Sequence, residues 1–142
     1  MANVRVIVNR DGTSQPFNIN FPAQEELRVG GELLLDDQAK DVVLTQITSI
    51  ETDRRVVSAT TSAVKTVWSR AIDDVTLKIS VYKNGITRPL KTLASGNDVF
   101  ERGQVMEIEG IRFQVIKIKL RQEGFADRAK AKDIVRVWGR EL

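Results

Sequence analysis

Two nearly identical segments decide the fold of this chain, Val67-Trp68-Ser69-Arg70 and Val137-Trp138-Gly139-Arg140. They contain the only two Trp residues among the 142 residues of the sequence. Each segment closes a half of nearly equal length, and self-similarity of this kind is typical of repeat architectures. The sequence therefore predicts an internal duplication.

The turn signals repeat with the same spacing. Asp11-Gly12 and Asn84-Gly85 favour two-residue hairpin turns, and each follows a segment of alternating apolar and polar residues. A proline follows each turn, and it belongs on the free edge of a sheet because it has no N–H to donate. An offset of 73 residues relates Gly12 to Gly85, Pro16 to Pro89 and Gly30 to Gly103.

Each copy contains five or six short strand-like segments and no sustained helical periodicity. We therefore predict an all-β protein with two tandem homologous small β-barrels, SH3-like or OB-like, because closure into a barrel removes exposed strand edges. The first barrel would span residues 1–73 and the second residues 74–142. The alternative is one larger barrel in which the two copies interlock. Short helical turns are predicted near residues 61–63 and 127–132.

The composition narrows the possible chemistry. The sequence has no Cys and no His, which excludes disulfides, Cys nucleophiles and His-based acid–base catalysis, so we expect no enzymatic activity and no cofactor. Asp36, Asp37 and Asp41 are the best carboxylates for a hard cation, but their spacing does not match an EF-hand loop and favours a solvated turn. Neither a membrane-spanning run nor a signal-peptide-like start is present, so we expect a cytoplasmic protein without a membrane partner.

The second copy is the basic one. Residues 1–73 hold 8 Lys and Arg against 10 Asp and Glu, whereas residues 74–142 hold 14 against 9. Strict alternation along residues 116–121 would place three apolar residues on the core face, namely Ile116, Ile118 and Leu120. The opposite face would carry Lys117, Lys119 and Arg121, and the loop that follows adds Arg128, Lys130 and Lys132. Such a row could follow nucleic-acid phosphates, and the alternative is an ordinary solvated face.

The C-terminal Trp has two interpretations. Alternation places Arg136, Trp138 and Arg140 on one face of a strand, with Val135 and Val137 on the other. An aromatic ring between two Arg residues can stack a base and hold its phosphates. The same ring can instead pack under an Arg for structural reasons, and the repetition of Trp in both copies favours this structural role.

The chain resembles a family of uncharacterised archaeal proteins that carry an N-terminal zinc ribbon followed by a duplicated β-rich region. The resemblance covers nearly the whole chain. It rests on the strand openers, the turns at Gly30 and Gly103, Ile47-Thr48-Ser49-Ile50-Glu51, Trp68-Ser69-Arg70-Ala71 and Ala131-Lys132-Asp133-Ile134-Val135-Arg136-Val137. Because the chain has no Cys, either the sequence is only the β region of a longer protein or this member has no ribbon. A ribbon beside small barrels is a frequent nucleic-acid-binding arrangement, by analogy alone.

These observations predict a non-enzymatic nucleic-acid-binding module that prefers RNA over DNA and uses a basic strand face and loop of the second copy. The alternative is a protein–protein interaction adaptor in an information-processing complex. The predicted partners are accordingly RNA, DNA or a protein. The predicted nucleic-acid-binding residues are Lys117, Lys119, Arg121, Arg128, Lys130, Lys132, Arg136, Trp138 and Arg140.

Overall fold

The structure, a computed structural model, describes residues 1–36 and 42–142. Strands account for 71% of these described residues, which contain almost no helix, and this confirms the predicted all-β class. The chain divides into two compact units, Met1–Ile72 (unit 1) and Asp73–Leu142 (unit 2). Each unit contains a sheet curled into a half-barrel, as a tandem duplication predicts. In the part of the chain described, no helix has the length and apolar character needed to cross a membrane.

In its described residues, unit 1 contains eight strands and one turn of 3₁₀ helix, Thr61–Ala63. Its strands are β1 (Ala2–Arg10), β2 (Thr13–Phe21), β3 (Glu26–Arg28), β4 (Glu32–Asp36), β5 (Val42–Glu51), β6 (Arg55–Val56), β7 (Ser58–Thr60) and β8 (Thr66–Ala71). The main sheet has the order β2-β1-β8-β5-β4, with β6 paired to β5, and β3 pairs with β7 in a separate two-stranded sheet.

Unit 2 repeats this arrangement, with a 3₁₀ turn at Ala131–Asp133. Its strands are β9 (Asp74–Lys83), β10 (Ile86–Ser95), β11 (Val99–Glu101), β12 (Val105–Ile108), β13 (Ile111–Leu120), β14 (Phe125–Ala126), β15 (Arg128–Lys130) and β16 (Ile134–Glu141). The main sheet has the order β10-β9-β16-β13-β12, with β14 paired to β13, and β11 pairs with β15.

The hairpin that opens each unit is determined by its turn. Asp11 and Gly12 have φ angles of 49° and 81°, and Asn84 and Gly85 have angles of 50° and 80°. Positive φ at both central residues is typical of a type I′ turn, whose twist matches that of the flanking strands. The predicted hairpins are confirmed.

The edges of the sheets are also as predicted. Pro16 lies on β2 and Pro89 on β10, and each of these strands is at one end of its sheet. The last strand of each unit pairs in parallel with the first, β8 with β1 and β16 with β9. This long-range pairing places the two Trp-containing strands in the middle of their sheets.

The core of unit 2 lies on the inner face of its curled sheet. Ile79, Val115 and Val137 come from neighbouring strands of the main sheet and are fully buried. Phe100 and Ala129, from the small β11–β15 sheet, pack against them in the same cluster. The small sheet therefore covers the inner face, and the outer face of the main sheet lies on the other side of the unit. Unit 1 has the equivalent core.

Two bulges break the alternation that the sequence predicted. The ladder between β13 and β16 is irregular directly after Val115 and again before Leu120. Ile118 is buried, but Ile116 is 37% exposed and Leu120 is half-buried, so the predicted core face of residues 116–121 is wrong in part. Val135 is 39% exposed, contrary to prediction. A bulge adds one unpaired residue and so reverses the faces of the residues that follow.

Candidate nucleic-acid interface

The outer face of the unit 2 sheet is formed by residues that alternate with those of the core. Lys78, for example, lies between Leu77 and Ile79, which are both buried. Five neighbouring strands contribute to this face. Its residues near the centre are Pro89 and Lys91 on β10, Lys78 and Ser80 on β9, Arg136 and Trp138 on β16, Lys117 and Lys119 on β13, and Phe125 on β14.

Four cations form a row across this face, which we call the cation row: Lys91, Lys78, Arg136 and Lys119. Lys91 is directly opposite Lys78, and Arg136 is directly opposite Lys119. In the parallel β16–β9 ladder, Val137 pairs with Ile79. Arg136 and Lys78 directly precede these two residues, so they are also neighbours. Because adjacent strands lie about 4.8 Å apart, the row spans roughly 14 Å.

In the part of the chain that the structure describes, salt bridges do not neutralise the cation row. Within residues 1–36 and 42–142, neither Lys78, Lys91 nor Lys119 forms a salt bridge. Arg136 Nη1 donates a hydrogen bond to Ser80 Oγ at 2.7 Å, which fixes the guanidinium without neutralising it. Like charges directly opposite on a sheet are destabilising. The row therefore lowers the stability of the folded unit and concentrates positive potential on one face.

An aromatic group lies beside the cation row. The rings of Trp138 and Phe125 have centroids 6.3 Å apart at an interplanar angle of 50°. Lys117 Nζ lies 4.2 Å from the Phe125 centroid and 5.3 Å from the Trp138 centroid. Phe125 is 55% exposed and Trp138 is half-buried. Apolar ring surface with an ammonium group over it is therefore available to a ligand on the outer face.

Unit 1 carries no such row at the equivalent positions. Its cross-strand row consists of Asn18 opposite Arg5, Arg5 opposite Thr66 and Thr66 opposite Glu51. One cation and one carboxylate therefore replace four cations. Trp68 occupies the position of Trp138 and is 41% exposed. The two units share the fold and the Trp, but only unit 2 combines them with concentrated positive charge.

The structure brings five of the predicted binding residues together on the outer face. Lys117 and Lys119 lie on β13, opposite Trp138 and Arg136 on β16. Arg140 lies further along the same face of β16, opposite Gln114. This part of the predicted site is one continuous surface.

Two other predicted residues lie on the far side of unit 2. Arg128 and Lys130 flank Ala129 on β15, and Ala129 packs into the core. Their side chains therefore point away from the core, on the side opposite the cation row. Arg128 Nη1 also lies 3.2 Å from Glu101 Oε1 in an exposed ion pair.

The remaining two predicted residues lie outside the sheet. Arg121 directly follows β13, where its N–H donates to the carbonyl of Asp133 at 2.8 Å. Lys132 lies in the 3₁₀ turn, where its N–H donates to the carbonyl of Gly96 at 3.1 Å. Neither residue belongs to the cation row.

Three residues of the surface were missing from the predicted site, namely Lys78, Lys91 and Phe125. The sequence contained a signal for the two lysines, since a two-residue turn at Asn84-Gly85 fixes the register that places Lys78 opposite Lys91. No signal pointed to Phe125. Its position depends on the pairing of β14 with β13, which puts it opposite Lys119.

One acidic residue at the end of β16 is held by cations. Glu141 Oε2 lies 2.8 Å from Lys83 Nζ, and Glu141 Oε1 lies 3.8 Å from Arg88 Nη1. The hydrogen bond from Lys83, with the nearby charges of Lys83 and Arg88, holds the pKa of Glu141 below its ordinary value against the opposing effect of burial. This ion pair ties the last strand to the opening hairpin of unit 2.

The described residues contain no group of three or more acidic side chains suited to a metal ion. Asp37 and Asp41 of the predicted acidic stretch lie outside the described residues. With no Cys or His anywhere in the sequence, this chain lacks the nitrogen and sulfur ligands that a structural zinc site requires.

The fold and the outer face define a duplicated all-β module with one cationic, aromatic surface. The sequence profile of the CPxCG-related zinc finger family matches residues 1–140, and the chain belongs to this family. The uncharacterized protein MJ0981 of Methanocaldococcus jannaschii is similar, with 30% identity over 140 residues, which are 98% of this chain and 66% of that protein. No solved structure matches.

These comparisons confirm the resemblance to an archaeal zinc-ribbon family. The chain spans 66% of the length of that relative. Zinc does not fit this chain, because the residues that would bind it are absent from the sequence. Membership in a zinc-finger-related family is consistent with a module that binds nucleic acid or protein.

Proposed function

We propose that unit 2 is a non-enzymatic module that binds single-stranded nucleic acid on its outer face, with RNA preferred over DNA. The cation row would hold the phosphate groups of the strand. Trp138, Phe125 and Lys117 would contact the bases. The observation that carries the proposal is the row of four neighbouring cations, which form no salt bridge among the described residues, directly beside the rings of Trp138 and Phe125.

Unit 1 supports this proposal as a natural comparison. The same fold forms there with Asn18, Arg5, Thr66 and Glu51 at the four positions. The fold therefore does not require four cations, and their mutual repulsion opposes folding. A polyanionic ligand would turn this repulsion into attraction, which explains an arrangement that is otherwise unfavourable.

The aromatic group favours single strands. Bases in a duplex are stacked on each other, whereas single-stranded bases can be splayed out and stacked on protein rings. Stacking on an aromatic side chain contributes about 1–3 kcal/mol per base. RNA is the favoured ligand because RNA recognition mostly targets single-stranded loops, bulges and ends, whose unstacked bases can stack on aromatic side chains.

A fluorescence titration of single-stranded oligonucleotides tests the proposal. In a Trp68→Phe background, Trp138 is the only Trp and reports directly on the surface. With four phosphate charges neutralised, the logarithm of the binding constant should fall against the logarithm of salt concentration with a slope of about −3, or roughly 50-fold between about 50 and 200 mM salt. A ribose oligonucleotide should bind more tightly than its deoxyribose counterpart.

Charge reversal at equivalent positions of the two units provides a test variant and its matched control. Lys78→Glu should weaken binding at least about tenfold and flatten the salt slope. It should leave the fold intact or stabilise it by about 0.2–1 kcal/mol, because the new carboxylate lies between Lys91 and Arg136. Arg5→Glu makes the same change in net charge at the equivalent position of unit 1 and should not alter binding. Equal losses in the two variants would show that only overall charge matters.

A protein partner is the second candidate, and exposed apolar residues on unit 1 favour it. Leu34 is 69% exposed on β4, at the end of its sheet, and Val57 is 75% exposed. Exposed apolar side chains mark protein–protein interaction sites where they form a contiguous patch. Absence of oligonucleotide binding even at low salt would favour this function over the first.

A further inference from the structure

A groove beside the cation row has the charge of a specific anion site. It has a volume of about 460 Å³ and is lined by Lys78, Pro89, Leu90, Lys91, Glu109 and Arg136. A volume of this size is within the range of small-ligand sites, about 300–1,000 Å³. Among the described residues that line the groove, three cations and one carboxylate give a formal charge of +2.

The three cations converge on one point of the sheet. Lys78 and Lys91 are directly opposite each other, which places their Cβ atoms about 4.5–5.5 Å apart. Arg136 approaches from the next strand, and its hydrogen bond to Ser80 at 2.7 Å fixes the planar guanidinium beside them. A guanidinium and two ammonium groups together can donate to all three terminal oxygens of one phosphate group.

The groove also lies next to the aromatic group. Trp138 is directly opposite Ser80, and Ser80 is two residues from Lys78 along the same face of β9. A nucleotide with its phosphate in the groove would therefore have its base within reach of the Trp138 ring. Phosphate and base sites are adjacent, in an arrangement suited to the end of a chain.

We infer that the groove formed by Lys78, Lys91 and Arg136 binds a terminal phosphomonoester of the nucleic acid. This inference rests on the proposed function and names the part of the ligand that gives the highest affinity. A phosphomonoester carries a charge of about −1.5 to −2 near neutral pH, whereas an internal phosphodiester carries only one negative charge. The monoester therefore matches the +2 charge of the groove, and a diester does not.

The test compares three oligonucleotides of one sequence, with a 5′-phosphate, with a 3′-phosphate, or with hydroxyls at both ends. Each is titrated against the full chain carrying Trp68→Phe, and Trp138 fluorescence is recorded. One of the phosphorylated oligonucleotides should bind at least about tenfold more tightly than the hydroxyl form, the effect of one additional charge-assisted contact. The arm that shows the preference identifies which end of the chain is bound.

Substitutions show which residues cause the preference for a phosphorylated end. Lys91→Gln should remove the preference for the phosphorylated end while the hydroxyl form still binds, because the other cations of the row remain. Arg5→Gln, at the position of unit 1 equivalent to Lys78, should retain the full preference. Glu109→Gln should increase the preference, since it removes a carboxylate that lines the groove.

Each outcome is decisive. Equal binding of the three oligonucleotides would overturn the phosphomonoester site and leave the proposed function standing. A preference that survives Lys91→Gln would also overturn the site, because it would place the terminal phosphate elsewhere. Absence of binding by all three, with an intact fold, would refute the proposed function and this inference with it.

Discussion

Gly139 and Phe113 form a complementary pair in the core of unit 2. Enlarging Gly139 or shortening Phe113 should lower the free energy of unfolding of this unit. A Cβ atom at Gly139 would lie 2.3 Å from Phe113 Cδ2, and the ring of Phe113 is fully buried. Unit 1 has the opposite distribution of volume, with buried Ser69 and Thr45 at the equivalent positions. Ser69 Oγ donates there to the carbonyl of Ile7 at 3.1 Å.

The size of the expected loss in free energy of unfolding follows from the contact distance. A carbon atom at 2.3 Å from the ring cannot be accommodated without moving it. Gly139→Ser should therefore destabilise unit 2 by about 1–3 kcal/mol, the usual cost of overpacking. Phe113→Thr should cost about 3–5 kcal/mol because it leaves a cavity. The double variant recreates the pair of unit 1 and should be less destabilised than the sum, with a coupling energy of about 1 kcal/mol or more.

Urea unfolding in the Trp68→Phe background measures these changes, since Trp138 adjoins Gly139 and reports on unit 2. The four members of the double-mutant cycle are compared at one pH and salt concentration. Additive losses would refute the reasoning, because they would show that Phe113 does not occupy the space a side chain at Gly139 needs. A Gly139→Ser variant as stable as the parent would refute it equally.

Two further predictions concern the ends of the outer face and the role of the cation row. The pKa of Glu141 is lowered in the folded state, so its ion pairs stabilise unit 2 at pH values above the ordinary carboxyl pKa. This stabilisation is lost as the pH falls through the pKa of the folded state. Glu141→Gln should therefore reduce the urea midpoint at pH 7 and have no such effect at pH values below both the folded and the unfolded pKa. Transferring the cation row to unit 1 with Asn18→Lys, Thr66→Arg and Glu51→Lys should create a second oligonucleotide site, seen as a change of stoichiometry from one to two. A stoichiometry that stays at one would show that the row alone is insufficient.

The hairpins and edges of this fold could be predicted from the sequence because they depend on short-range chemistry. Asn84-Gly85 specifies its turn by backbone conformation, and Pro89 specifies an edge by its missing N–H. Because the turns and prolines recur at a constant spacing, a turn or edge predicted in one half is also predicted at the equivalent position of the other. These features gave the all-β duplicated architecture without any knowledge of long-range pairing.

The binding surface was predicted only in part, for two physical reasons. A bulge reverses the faces of a strand, and nothing in the run of residues 116–121 shows that an extra residue lies after Val115. The parallel pairing of β16 with β9 joins residues nearly 60 positions apart, such as Trp138 and Ser80, and local periodicity carries no information about it. The run of basic residues from Lys117 to Lys132 looked like one site, but the fold divides it between opposite sides of the core.

The duplication separates what the fold needs from what a ligand would use. The same hydrogen bond from a Gln side chain to a turn carbonyl occurs in both units. Gln46 Nε2 donates to the carbonyl of Gly30 at 3.3 Å, and Gln114 Nε2 donates to the carbonyl of Gly103 at 3.2 Å. The units also differ on their outer faces, where repulsion between like charges opposes folding. The architecture accounts for the presence of a residue that both units share, such as the Trp, whatever further contacts Trp138 makes in unit 2. The cation row is present in one unit only, so the architecture does not explain it, and the difference between the copies is where function should be sought.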